Sequence, residues 1–143
     1  MVDILDAARY LIFLSYGGNQ YSLTPLKLQK ILYLVQGWSY VWDDVPAFSD
    51  GFSAWQFGPV NEKVYEVLKK YGRLEIPESE GIHELSDRNV AETIKAVWKE
   101  YGKMSSYDLV KMVRHQIPWR NAYKKGEKIK KESIKKYFQS VYC

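Results

Sequence analysis

The alternation of apolar and polar positions predicts two helices in the first part of the chain. One is expected over residues 3–16, because Asp3 can cap its N-terminus and the glycines at 17 and 18 readily adopt the left-handed conformation that ends a helix. The other is expected to begin at Thr24 and Pro25, a capping residue followed by a proline whose missing N–H is harmless in the first turn. Its apolar stripe has helical spacing and consists of Leu28, Ile31, Leu32, Val35 and Trp38. Its polar flank consists of Lys27, Lys30 and Gln36.

The helical pattern stops between residues 43 and 58, where turn-forming residues are mixed with irregularly spaced aromatic residues. A short strand is expected over residues 53–57. Gly58 and Pro59 are expected to end this strand and to start the next helix. A second short strand is expected over residues 74–76, so that a small hairpin-like insert separates the helices.

Further helices are predicted in the rest of the chain. Ser86 is expected to cap one of them, and Ser105, followed three residues later by an acidic side chain, resembles the start of a capping box. Pro118 is expected to open a short helix, and a last helix is expected over residues 130–141. The predicted fold is mainly α: a compact helical domain of about six to seven helices with a small two-stranded β insert, formed by residues 1–143 as a single domain.

The composition is that of a globular protein with many aromatic residues. Hydrophobic residues make up 46% and charged residues 27% of the 143 positions, which excludes a disordered chain. Five tryptophans and twelve tyrosines either fill a core or wait for a partner, since these residues dominate both kinds of contact. We expect the core to contain most of them.

The single cysteine, Cys143, excludes a disulfide within the chain and points to a reducing compartment. The apolar run at residues 11–14 is short, follows two aspartates and lacks a basic leader, so it does not resemble a secretion signal. No apolar run approaches the length of a membrane span. We therefore expect a cytoplasmic protein.

The net charge of +4 is concentrated near the C-terminus. Residues 124–136 contain seven lysines and two glutamates, while the rest of the chain is nearly neutral. Lysines opposite an apolar face are typical of any surface helix, and no arginine is present in this segment to read bases, so a solvated face is the favoured interpretation. A site for nucleic-acid phosphates stays open as the alternative, and its residues would be Lys130, Lys131, Lys135 and Lys136.

No motif for catalysis, cofactor binding or metal binding is present. The residues best suited to bind a metal, His83, His115 and Cys143, have no paired spacing, and neither a phosphate-binding loop nor a nucleophile elbow occurs. We expect no enzymatic activity, no cofactor and no metal. His115 is expected to be a hydrogen-bonded residue near a helix C-terminus.

The aromatic segment over residues 48–60 is the most distinctive part of the sequence. Large rings interrupted by glycine and proline are costly to leave in water unless they pack or bind. Two interpretations remain open: a flap folded over the helical core, or a surface for a partner.

An ordered series of segments resembles the Panacea antitoxin domain, a family of SocA-like antitoxins and of phage- and mobile-element-associated proteins. The matching segments are residues 24–33, 36–38, 52–60, 64–65, 71–72, 97–98, 101–102, 109–110 and 115–119. The series extends over most of the chain.

The resemblance implies an antitoxin of a type II-like pair, which neutralises a cognate toxin encoded beside it by direct protein–protein contact. One branch of the family acts as an adaptor that delivers its toxin to a Clp-type protease, but no residue here identifies an element that docks on a protease. Many antitoxins carry a separate DNA-binding domain, for which we expect no room in this chain. A nucleic-acid-binding factor of a phage or mobile element, using the C-terminal lysines, is the alternative function.

The aromatic segment and the helices around it supply the candidate toxin contacts. We expect Trp55, Phe57, Tyr65 and Trp119 to be anchors, and Gly58 and Pro59 to shape the loop that presents them. The four lysines named above are the candidate residues for steering an acidic or nucleotide-binding toxin toward this surface.

Overall fold

The computed structural model describes residues 1–18 and 21–142, and within them the chain forms seven α-helices and a three-stranded sheet. The helices are α1 (Ile4–Ser15), α2 (Pro25–Asp43), α3 (Glu62–Leu68), α4 (Arg88–Tyr101), α5 (Ser106–Arg114), α6 (Ile117–Lys125) and α7 (Lys131–Tyr142). The strands are β1 (Phe52–Trp55), β2 (Gly58–Val60) and β3 (Lys128–Ile129). The expected mainly α fold is confirmed. Cys143, on which the expectation of a reducing compartment depends, lies outside the described residues.

The predicted helix starts follow local capping chemistry. Asp3 accepts a hydrogen bond from the Leu5 N–H at 2.8 Å, and Ser105 Oγ accepts one from the Asp108 N–H at 3.1 Å. The expected cap at Ser86 is wrong by one residue. Asp87 caps α4 instead, because its carboxylate accepts the Val90 N–H at 3.2 Å and also pairs with the N-terminal ammonium group at 2.9 Å.

The sheet differs from the predicted insert. Strand order is β2-β1-β3, all antiparallel, with Ser53 opposite Val60 and Phe52 opposite Ile129. The strand expected over residues 74–76 is absent from the described structure, and the third strand comes from the segment between α6 and α7. Gly58 and Pro59 belong to β2 rather than to a helix, and α3 begins after Asn61, whose Oδ1 accepts the Val64 N–H at 3.0 Å.

Helix α2 is the centre of the core and packs against α1, α4, α5, α7 and β2. Residues 27–37 of this helix are all buried. At Gly37 the Phe138 ring of α7 lies so close that an added Cβ would come within 2.4 Å of two ring carbons. Glycine at this position therefore allows α7 to pack directly on the α2 backbone.

The polar flank of α2 is also buried, and its side chains bind the backbone of segments outside the helix. Lys27 Nζ donates to the Gly102 carbonyl at 2.6 Å, at the end of α4. Gln36 accepts the Phe48 N–H at 3.2 Å and donates to the Phe48 carbonyl at 3.0 Å. These bonds satisfy the buried side chains and fix the loops that cross the helix. No helix in the described part of the chain is long and apolar enough to cross a bilayer.

Candidate protein-binding site

An apolar groove of about 410 Å³ opens between the β1–β2 hairpin, α3 and the first turns of α2. This volume is within the usual range for a binding pocket. Its lining residues are Pro25, Leu26, Gln29, Trp55, Gln56, Phe57, Val60, Val64, Tyr65, Leu68, Lys69 and Gly72. Three of the four predicted anchors therefore meet in one place.

The three aromatic residues of the groove are partly exposed. Phe57, at the hairpin turn, is 55% exposed, Tyr65 on α3 is 39% exposed and Trp55 is 37% exposed. The Trp55 and Tyr65 rings meet edge to face with centroids 4.9 Å apart and an interplanar angle of 76°. Two rings thus support each other, while Phe57 is the most exposed of the three.

Gly58 gives the hairpin its shape. It follows the two-residue turn at residues 56–57 and has φ of +108°, a region that favours glycine. An added Cβ would lie 2.9 Å from Lys30 Cε and 3.1 Å from Val113 Cγ2. The predicted role of Gly58 in shaping the loop is consistent with this close approach.

Trp119 holds the hairpin from below. Its indole Nε1 donates to the Trp55 carbonyl at 2.8 Å, and its ring stacks on Tyr123 with centroids 4.5 Å apart. The Arg114 guanidinium lies 4.9 Å from the Trp119 ring centroid. Trp119 is only 5% exposed, unlike the other three predicted anchors, and its side chain contacts the Trp55 backbone.

Lys30 lies beneath the hairpin and is completely buried. Its Nζ donates to the Pro59 carbonyl at 2.9 Å. Burial lowers the pKa of Lys30 from 10.5 to about 7, because removing the ammonium group from water disfavours its charged form. The burial of Lys30 was not predicted, because a lysine on the polar flank of a helix usually extends to solvent.

The outer edge of β2 is closed to strand addition at Pro59. This strand lies at one end of the sheet, where a partner strand could in principle pair with it. Pro59 has no N–H to donate, and its carbonyl already accepts a hydrogen bond from Lys30. Pairing of an added strand is therefore blocked at this point of the edge.

Two of the four C-terminal lysines bind acceptors elsewhere in the protein. Lys131 Nζ donates to the Ser49 carbonyl, and Lys135 lies 3.5 Å from the Asp44 carboxylate. Lys130 and Lys136 are exposed. None of the four lines the groove.

His115 occupies the position expected for it. It is the C-cap of α5, and its Nδ1 is 2.7 Å from the Lys111 carbonyl oxygen. In the described ranges, no group of three or more His, Cys, Asp or Glu side chains could hold a metal ion.

The apolar floor and walls of the groove were not predicted. Leu26, Val64 and Leu68 were not among the predicted contacts. The spacing of Val64 and Leu68 by four residues nevertheless places both on one face of α3. That periodicity was the available signal, since exposed aromatic residues alone do not reveal the surface between them.

Comparison with known proteins identifies the family of this chain. The family model described as antitoxin SocA-like, Panacea domain matches residues 28–120, which include most of α2, the hairpin, α3, α4, α5 and Trp119. No curated protein and no solved structure matches the chain. The matched residues make up more than half of the sequence, and the chain belongs to the SocA-like antitoxin family with a Panacea domain.

Proposed function

We propose that this protein neutralises a cognate toxin by direct, stoichiometric binding, and that the apolar groove is the centre of the contact. Membership of an antitoxin-like family supports the class of function. The proposed location of the toxin contact is supported by one observation. Three aromatic residues, Trp55, Phe57 and Tyr65, each more than one-third exposed, line the same apolar groove. Aromatic residues in such a setting are the usual source of binding free energy at protein interfaces.

Inhibition of this kind requires affinity and no turnover. A specific interface buries on the order of 1,600 Å² in total, about half on each partner, and most of the affinity comes from a few central residues. The edge-to-face contact of Trp55 with Tyr65 and the bond from Trp119 hold part of the site in place before binding. Less conformational entropy is then lost when the toxin binds. We therefore propose a binding module without catalytic activity, acting in the cytoplasm on a toxin encoded beside it.

Co-expression tests the proposal. A neighbouring reading frame that arrests growth when expressed alone would be paired with this protein and with its Phe57→Ala variant. We expect the wild type to restore growth and Phe57→Ala to fail, because truncation of an exposed central anchor costs about 2 kcal/mol or more of binding free energy. Circular dichroism should show an unchanged helical signal.

Trp42→Ala is the matched control. Trp42 is 51% exposed and lies on the same helix as the groove residue Leu26, but about 24 Å further along its axis. This variant should neutralise the toxin as well as the wild type does. Equal protection by wild type and Phe57→Ala would disprove the groove as the contact site.

A further inference from the structure

The charge of this protein is divided between two parts of the chain. Residues 1–102 contain ten basic residues (lysine or arginine) and fourteen acidic residues. Residues 103–143 contain eleven basic residues and three acidic residues. Two of the ten cations in the first part, Lys27 and Lys30, are buried. The surface formed by α5, α6, β3 and α7 is therefore strongly basic, and the surface formed by the rest is acidic.

Part of this basic surface lies beside the hairpin. We use the name basic ridge for the exposed cations of α5 and α6, which are Lys111, Arg114, Arg120, Lys124 and Lys125. Helix α5 packs against β2 and α6 packs against β1. Arg114 is the ridge residue with the clearest link to the groove, since it stacks on Trp119, whose indole binds the Trp55 carbonyl.

The ridge cations have no acidic partners in residues 1–18 and 21–142. No salt bridge within those ranges involves any of them, and the single acidic residue of these two helices, Asp108, lies in the first turn of α5. On the other side of the groove the lysines of α3 and of the turn after it are paired: Lys63 with Asp3, Lys69 with Glu66, and Lys70 with Glu80. Unpaired positive charge therefore lies on the two helices that pack against the hairpin.

The size of a stable interface determines whether a partner bound in the groove also covers the ridge cations. A standard interface uses about 20–30 residues on each side, whereas twelve residues line the groove, so a partner must also cover neighbouring surface. Where it covers the ridge, a basic partner would place like charges together, while an acidic partner would pair with cations that have no other counter-charge.

We infer that the toxin presents apolar side chains to the groove and acidic side chains to the basic ridge. This inference rests on the proposed function and adds the chemistry of the partner. Strand addition is excluded at the centre of β2, because Pro59 offers neither a donor nor a free acceptor. The partner segment is therefore held by its side chains, with apolar anchors flanked by aspartate or glutamate.

A displayed library of random peptides tests this chemistry without the toxin. Selection on the purified full chain should enrich peptides that combine large apolar residues with flanking acidic ones. Synthetic versions of the enriched peptides would be measured by fluorescence anisotropy. Their affinity should fall as salt is raised, and Phe57→Ala should weaken it about tenfold or more.

Charge-reversal variants test whether the ridge cations themselves, rather than the net charge of the protein, bind the acidic peptides. The double variant Lys111→Glu/Arg120→Glu should weaken the selected acidic peptides about tenfold or more. The matched control, Arg88→Glu/Lys99→Glu, makes the same change of charge with exposed residues of α4 and should bind as the wild type does. Thermal unfolding should be similar for both variants.

Enrichment of neutral or basic peptides, or of none, would overturn the inference. So would equal effects of the ridge and control variants, and so would tight, steeply salt-dependent binding of a short DNA duplex that the ridge variant abolishes. These failures leave the co-expression result standing, so they are distinguishable from a failure of the proposed function. Conversely, selection of acidic peptides with no protection in co-expression would support the chemistry of the surface and reject the antitoxin function.

Discussion

Replacement of Lys30 by methionine tests whether the hairpin of this SocA-like antitoxin rests on a buried amine that titrates near neutrality. Methionine keeps a long unbranched side chain but removes the ionisable group. The native lysine is completely buried, its bond to Pro59 is 2.9 Å long, and its pKa is lowered to about 7. The variant therefore loses one hydrogen bond and one buried charge together.

The magnitude follows from the two pKa values. Because the folded value of about 7 lies below the unfolded value of 10.5, the unfolded chain binds more protons between them, and the stability of the folded protein rises with pH through this window. Each pKa unit corresponds to about 1.4 kcal/mol. At low pH, the protonated amine of Lys30 therefore destabilises the folded state by about 5 kcal/mol relative to a neutral amine at the same position. Its contribution should become less unfavourable by about 3 kcal/mol between about pH 6.5 and 9.5.

The lost bond to Pro59 costs about 1–3 kcal/mol at every pH, since it leaves a buried carbonyl unsatisfied. Lys30→Met should therefore be more stable than the wild type by about 2 kcal/mol near pH 6.5, and this gain should vanish near pH 9.5. Urea denaturation followed by tryptophan fluorescence across this pH range measures both values. Lys99→Met, at an exposed position, should follow the wild-type profile. Parallel profiles for the wild type and Lys30→Met would refute the reasoning, because they would show that burial does not shift the titration of Lys30.

Two further substitutions test the packing that positions the site. Gly37→Ala places a methyl group within 2.4 Å of the Phe138 ring and should lower the free energy of unfolding by about 1–3 kcal/mol in urea denaturation, whereas Gly51→Ala, with nothing within 4 Å, should have little effect. A Gly37→Ala variant as stable as the wild type would contradict the close packing of α7 on α2. Trp119→Phe keeps a ring but removes the donor to the Trp55 carbonyl, and it should cost about 1 kcal/mol of stability and weaken toxin binding in calorimetry. Unchanged affinity in that variant would show that Trp119 does not support the site.

Local signals made much of the helical framework predictable. An aspartate, a threonine or a serine followed by an apolar repeat specifies a helix start through its own hydrogen bond to the backbone, as at Asp3, Thr24 and Ser105. Such bonds join residues two or three positions apart, so they depend little on the rest of the fold. The aromatic residues of the hairpin could also be predicted as candidate contacts, because large rings beside a glycine and a proline are costly to leave in water unless they pack or bind.

Features that depend on distant contacts were not predictable in the same way. Strand β3 has two residues and exists because it pairs with β1, more than seventy positions earlier, as Ile129 does with Phe52. The burial of Lys30 depends on the carbonyl of Pro59, and the support role of Trp119 depends on that of Trp55. In each case the partner is a backbone group whose position no side-chain pattern encodes.

We propose that binding of the toxin in the groove is itself the activity of this protein. The most direct test of this proposal is isothermal calorimetry of the purified chain with an inactive variant of the toxin found by co-expression. The account predicts binding at one toxin to one antitoxin, weakened about thirtyfold or more by Phe57→Ala and unaffected by Trp42→Ala. Equal affinity of the wild type and Phe57→Ala for the toxin would contradict it.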